Sequence, residues 1–276
     1  MRKEMEASKN KLLIAEGDII DFCRGRLGFT PTEYQEKLLR DESQFMTARW
    51  PRQSGKSQCL AALVLYRALA RPGSRCIILS PSLRQSRRII ERVVSFLPRL
   101  GSSILAGKVL KTRLAFVNGS TIESLPNNPA TVRGDTVDLL IIDEASFIQN
   151  DQELYDAAVY ALATTNGQYI GASTPGSRDT LFYRMCKDDQ VYGDVSRHHV
   201  TWREAVEPKG PLKKQILEKL QLQMMHDPNR WRREMEAEFA DQDDRFFPWD
   251  LLMRAVDPIV EEIPDEMLDG ASSLPS

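Results

Sequence analysis

The stretch Arg49-Trp50-Pro51-Arg52-Gln53-Ser54-Gly55-Lys56-Ser57 constrains this chain more than any other. Before it, Gln44 to Ala48 reads as a short strand, and after it Cys59 to Ala70 is an apolar helical run. Strand, tight loop, Gly-Lys-Ser and helix form the layout of a phosphate-binding loop. The loop and the helix N-terminus both present unpaired N–H donors and partial positive charge, so together they wrap an anion. Gln53, Ser54 and Gly55 supply that backbone, Lys56 reaches toward the β- and γ-phosphates of ATP, and the Ser57 hydroxyl is placed for Mg²⁺. The general pattern asks for glycine where this chain has Trp50, so the match is incomplete and the rest of the chain must decide.

The second strong signal is Val137-Asp138-Leu139-Leu140-Ile141-Ile142-Asp143-Glu144-Ala145. It is an apolar strand that delivers two carboxylates at its C-terminal end, which faces the phosphate loop in a parallel sheet. Asp143 then serves the Mg²⁺ water shell, and Glu144 orients and activates a water for attack on the γ-phosphate. Gln168 to Ser173 is a further strand, running into Ser173, Thr174 and a Pro-Gly turn. Hydroxyls at that edge reach the γ-phosphate or the attacking water, although Ser-Thr-Pro-Gly is also ordinary turn chemistry. Upstream, Thr30 or Thr32 caps a helix with Pro31 in its first turn, and Tyr34-Gln35 follows. The Gln35 amide offers one donor and one acceptor, which matches the edge of adenine; the plainer alternative is a surface glutamine at a helix start.

The remaining chain reads as scaffold. Arg75 to Pro81 is a buried parallel strand ended by Ser-Pro. Ser82 to Leu97 is helical, with Leu83, Ile90, Val93, Val94 and Leu97 on one face and Arg84, Arg87, Arg88 and Arg92 on another. A solvated arginine face is favoured there over contact with a phosphate backbone. Leu114–Val117 and Ser120–Glu123 flank Asn118-Gly119, a hairpin signal. Asp151 to Ala163 is helical, His198 to Thr201 is an edge strand, and Leu212–Met225 and Asn229–Phe239 are helices, the latter after Pro228. Phe246 to Ala255 is a last packed segment, and Asp257 to Asp269 holds six acids and no Lys or Arg.

Strands alternating with helices imply an α/β fold. The expectation is a P-loop NTPase of the additional-strand, RecA-like type, with a mostly parallel sheet flanked by helices and a small helical C-terminal subregion. The expected boundaries are a helical arm at 1–28, the ATPase core at 29–205, a helical lid or linker subdomain at 206–256 and an acidic tail at 257–276. An ATPase with a glutamate beside the magnesium aspartate fits this order better than a small-molecule kinase, which needs a lid and an acceptor site. Formal net charge is -2 over 276 residues, so any nucleic-acid contact is local. Cys23, Cys59, Cys76 and Cys186 show no Cys-x-x-Cys spacing and read as buried reduced thiols of a cytoplasmic protein. No run reaches membrane-span length, so no membrane partner is expected.

Taken together, the chain resembles the ATPase domain of the large terminase subunit of tailed bacteriophages, the motor that packages DNA. The matching pieces are Tyr34-Gln35, Arg52 to Ser57, Ser80 to Ser86, Arg133-Gly134, Leu140 to Ala145, Ser173 to Gly176, Glu234-x-x-x-Glu238-Phe239 and Phe247-Pro248. The family often dispenses with the early glycine and carries an arginine where this chain has Arg52. The resemblance implies an Mg²⁺-dependent ATPase in which Gln35 contacts adenine, Lys56 and Ser57 hold phosphates and metal, and Asp143 and Glu144 serve metal and water. It implies that Ser173 and Thr174 couple hydrolysis to movement. Arg133 matches an arginine thought to enter a neighbouring subunit's site, and Arg52 would act in cis near the γ-phosphate. The implied partners are double-stranded DNA, a pentameric ring of this subunit, the portal protein and the small terminase subunit, in the cytoplasm of a host bacterium. Family members usually continue into a nuclease domain, so this chain is expected to have no nuclease activity of its own. The rivals are a two-lobed helicase or translocase, for which residues 177–276 look too short and too helical, and a non-hydrolysing nucleotide-binding scaffold.

Overall fold

A computed structural model of the chain describes residues 17–239, all within one compact unit. The expectations for Phe246 to Ala255 and for the acidic tail lie outside the described residues.

The chain enters through α1 (Ile19–Asp21), which continues as a π-helical turn, Phe22–Leu27, and stops at Gly28 in the left-handed conformation. Next, α2 (Glu33–Arg40) opens after Thr32, whose N–H donates to Gln35 Oε1 at 2.9 Å, the reciprocal half of a capping box. Then come β1 (Phe45–Arg49), α3 (Lys56–Ala70), β2 (Arg75–Leu79) and α4 (Leu83–Leu100). The hairpin β3 (Arg113–Ala115) and β4 (Thr121–Ser124) turns at Asn118-Gly119, where Gly119 has φ +87° and the Asn118 amide donates to the carbonyl of Ala68. The rest is β5 (Leu139–Asp143), α5 (Asp151–Ala163), β6 (Gln168–Ser173), α6 (Leu181–Lys187), β7 (Ser196–His199), α7 (Trp202–Ala205), α8 (Lys214–Gln223) and α9 (Pro228–Met235).

The seven strands form one sheet in the order β3-β4-β2-β5-β6-β1-β7. Every neighbouring pair is parallel except β3 with β4. The decisive feature is β6, which lies between the strand feeding the phosphate loop and the strand ending in Asp143. This is the additional-strand arrangement expected from the sequence.

Helices cover both faces, so the central strands are buried on each side and read as continuous apolar runs. All five residues of β5 and all six of β6 are buried. One core cluster includes Cys59, Leu60, Leu63 and Val64 of α3 packed with Ile89, Ile90 and Val93 of α4. The other joins Leu140 and Ile142 of β5 with Leu154, Ala158 and Leu162 of α5 and Phe182 and Met185 of α6. All four cysteines are free and buried, as anticipated.

Some boundaries moved. The edge strand begins at Ser196 rather than His198, because its register against β1 pairs Met46 with Ser196 and Arg49 with His199. α4 runs through Pro98 to Leu100, and α9 ends at Met235, leaving Phe239 to pack beyond it edge-on against Tyr183.

Candidate nucleotide site

Parallel packing brings the C-terminal ends of β1, β6 and β5 to one edge, and a cleft of about 570 Å³ opens there. Its lining includes Gly55, Lys56, Ser57, Asp143, Glu144 and Thr174.

The loop is held from below. Trp50, standing where the general pattern has glycine, is fully buried and meets Tyr34 edge-on with centroids 5.0 Å apart. Tyr34 Oη donates to the Ser54 carbonyl at 2.7 Å, and Ser54 Oγ donates to the Pro51 carbonyl at 2.7 Å. Trp50 N–H donates to the Ser173 carbonyl at 3.2 Å, fastening the loop to β6. Gln53 (φ +59°) and Gly55 (φ +84°) both take left-handed backbone, which closes the turn before α3. The space beside Gly55 is filled, since a Cβ there would lie 2.5 Å from Gln35 Nε2.

Lys56, the first residue of α3, is buried and sits between the two carboxylates. Its Nζ is 3.6 Å from Glu144 Oε1 and 4.0 Å from Asp143 Oδ1. Both Lys56 Nζ and Asp143 Oδ1 are buried without a hydrogen-bond partner. Burial pushes the Asp143 carboxyl up to about 6; Lys56 opposes this and neighbouring Glu144 adds to it. Glu144 itself has φ +57°, a left-handed conformation unusual for a side chain of its kind, and caps a short 3₁₀ turn at Ala145–Phe147. Ser173 Oγ lies 3.4 Å from Glu144 Oε2 as donor and accepts from Ser146 N–H at 3.3 Å. One hydroxyl thus touches the carboxylate while its carbonyl holds the loop.

The remaining sequence-derived residues are placed as follows. Gln35 is buried and does not line the cleft: its amide Nε2 points at the Ser54 and Gly55 carbonyls, 3.4 Å from each. The Arg52 side chain is largely exposed and paired with Glu234 of α9, while its N–H donates to the Glu234 carbonyl at 3.2 Å. Arg133 stands apart from the cleft, in an exposed 3.0 Å ion pair with Glu153 of α5. Arg84, Arg88 and Arg92 of α4 are exposed, as a solvated arginine face requires, and Gln85, Arg88 and Arg92 also line the cleft. Of the four arginines that periodicity put on one face, only Arg88 and Arg92 line the cleft; which neighbours they meet depends on how α4 crosses the sheet.

Among the described residues no group of three or more His, Cys, Asp or Glu is arranged for a metal, and no helix is long and apolar enough to cross a membrane. An ion shared with phosphate oxygens needs fewer protein ligands. The unpartnered Asp143 Oδ1 and the Ser57 hydroxyl fit that role.

Comparison with known proteins agrees with this geometry. The family model described as terminase large subunit, T4likevirus-type, N-terminal, matches residues 49–254. The large terminase subunit of Thermus virus P23-45 is 29% identical over 141 residues, covering 44% of this chain and 29% of that protein. The match to the curated relatives therefore spans less than a third of their length. Among solved structures, the ATPase domain of the Thermus phage P74-26 large terminase superposes with a TM-score of 0.65 at 24% identity, over 80% of this chain and 98% of that one. The large terminase of a thermophilic bacteriophage, solved with ADP, gives a TM-score of 0.61 at 14% identity, over 77% of this chain and 57% of that one. These likenesses show the fold. Because the family match takes in more than half of the chain, including the phosphate loop, Asp143 and Ser173, the chain belongs to the terminase large subunits of the T4-like-virus type, matching their N-terminal region.

Proposed function

We propose that this chain hydrolyses ATP in the cleft at the ends of β1, β6 and β5, and that hydrolysis drives double-stranded DNA into a procapsid. One observation carries the reading: the buried Lys56 ammonium lies against both Asp143 and Glu144 without a hydrogen bond of its own. A buried cation with spare donors, facing spare carboxylate oxygens across a nucleotide-sized cleft, is a site waiting for phosphate and metal.

Lys56 and the N–H groups of Gln53, Ser54 and Gly55 bind the phosphates. Ser57 and Asp143 would hold Mg²⁺, which when bound neutralises charge on the phosphate oxygens. Glu144 orients a water and takes its proton as the water oxygen attacks the γ-phosphorus. The bond between the γ-phosphorus and the bridging oxygen breaks, ADP leaves with that oxygen, and the proton passes to solvent. Ser173, touching Glu144 and holding Trp50, and Thr174, at the cleft wall, couple the change in the γ-phosphate to the loop. Arg52 reaches the γ-phosphate in cis when freed from Glu234, and Gln35 reads adenine once its amide turns from the loop carbonyls. Arg133, exposed and weakly paired, is available to a neighbouring subunit in a ring, where it stabilises charge on the transferred group. The ring, the portal and the small terminase subunit complete the motor.

The test is steady-state ATP hydrolysis over a range of protein concentrations. Activity should rise more than proportionally with concentration, and Glu144→Gln should abolish it while retaining ATP. Strict proportionality would point to a self-sufficient monomer. Turnover unaffected by Glu144→Gln would remove the catalytic role from this cleft.

A further inference from the structure

We propose that Arg88 and Arg92, four residues apart on α4, bind the β- and γ-phosphates of the nucleotide from the α4 wall of the cleft. This rests on the reading of the cleft as an ATP site.

The first argument is charge. The cleft lining carries Arg52, Lys56, Arg88 and Arg92 against Asp143 and Glu144. Lys56 is offset by both carboxylates, and Arg52 is paired with Glu234. Arg88 and Arg92 have no carboxylate within ion-pair distance among the described residues. Arg92 acts on the Asp143 carboxylate only at longer range, and two guanidinium groups at i and i+4 on one helix repel each other, so an anion between them is favourable. A phosphate chain is such an anion, and guanidinium forks match its oxygens.

The second argument is placement. Arg92 Nη1 donates to Gln58 Oε1 at 3.1 Å, and Gln58 lies in the first turn of α3, two residues after Lys56. The guanidinium is therefore tied to the helix that carries the phosphate-binding lysine. α4 itself is firmly seated: Ser82 caps it, Ser86 Oγ meets Ser124 Oγ of β4 at 2.6 Å in the interior, and Ile89 and Val93 are fully buried. The arginines thus project from a firmly seated helix, and only their own exposed side chains have to be ordered on binding. The cleft, about 570 Å³, is large enough for a nucleotide. Arg84, on the same helix, does not line the cleft.

Equilibrium binding of fluorescently labelled ATP and AMP, with Mg²⁺ and without DNA, tests this on the full chain. Arg88→Ala and Arg92→Ala should each weaken ATP binding by about tenfold and leave AMP binding unchanged. Arg88→Lys should recover part of the loss, and Arg84→Ala should behave as wild type. Thermal midpoints without nucleotide monitor folding, and Arg88→Gln serves where alanine disturbs it. Unchanged ATP affinity in folded Arg88 and Arg92 variants would overturn the proposal alone, as would an equal loss for AMP and ATP. Weakened duplex binding with intact ATP binding would also overturn it and reassign the pair to DNA. A wild-type protein that binds no ATP would instead remove the underlying reading, and the proposal with it.

Discussion

Gly55 shows how little room the phosphate loop leaves at a single residue. Its φ of +84° suits glycine, and Gln35 Nε2 occupies the space a Cβ would take. Gly55→Ala should therefore cost about 1 kcal/mol or more in chemical denaturation, from strain in left-handed backbone. Nucleotide affinity should fall further than stability does, because Gln35 must swing aside and the loop N–H groups lose their aim. Glu144, with φ +57°, holds an unusual backbone for a similar reason: its carboxylate is turned toward Lys56 and Ser173. Glu144→Gln keeps that geometry and removes only the base, so hydrolysis should drop by about 10²- to 10⁴-fold with ATP binding retained. Residues such as these were legible in the sequence because their chemistry depends on near neighbours: Gly before Lys-Ser, and Asp-Glu at a strand end. Arg88 and Arg92 were not, because their meaning comes from Lys56 and Asp143, far away in the chain.

At the level of elements, β5 is the spine of the site. It lies between β2 and β6, and Ile141 packs in the core cluster that contains Ile78, Ile170 and Cys59. Ile141→Ala should leave a cavity and cost about 2–5 kcal/mol, read as a lower thermal midpoint. ATPase activity at low temperature should persist in the folded fraction, since Asp143 and Glu144 follow from the strand's register rather than from that side chain. The apolar run Leu139–Ile142 announced this strand plainly because it is covered on both faces and needs no alternation. The edge strand β7 was harder to place. Its residues Ser196 to His199 are only partly buried, so no apolar pattern marks its start, and its pairing with β1 sets the boundary. Pro98 misled in the other direction. It falls in the last turn of α4, and the helix passes through it at the cost of one intrahelical bond, since the Val94 carbonyl loses its N–H donor.

Over the whole molecule, contacts between distant segments decide stability and its dependence on pH. Asp41, after α2, accepts from Ser43 N–H at 2.8 Å and from Ser196 Oγ, and lies 2.7 Å from His198 Nε2 of β7. Burial pushes its carboxyl up, but the hydrogen bonds from Ser196, Ser43 and His198 outweigh that and bring it down to about 2 from 3.8. A depressed carboxyl stabilises the fold above its unfolded value and loses that contribution as pH falls from about 4 through 2. Asp41→Asn should therefore lower stability at neutral pH by on the order of 1 kcal/mol, after solvent screening, and flatten the acid limb of a pH–stability curve. Arg133→Ala belongs to a larger scale still: ATP binding should be unchanged, while the steep rise of turnover with concentration should vanish. The sequence alone determined the α/β class, the phosphate loop, the Asp143-Glu144 strand and the hairpin turn at Asn118-Gly119. Each is set by local backbone preference or by a two- or four-residue period of burial, and such information is written between near neighbours. Only the tertiary structure decided that Gln35 and Tyr34 brace the loop from beneath, that Arg52 rests on Glu234, and that Arg88 and Arg92 face the cleft. Those facts depend on which surfaces pack together, and packing is settled by burying the apolar faces of all the elements at once.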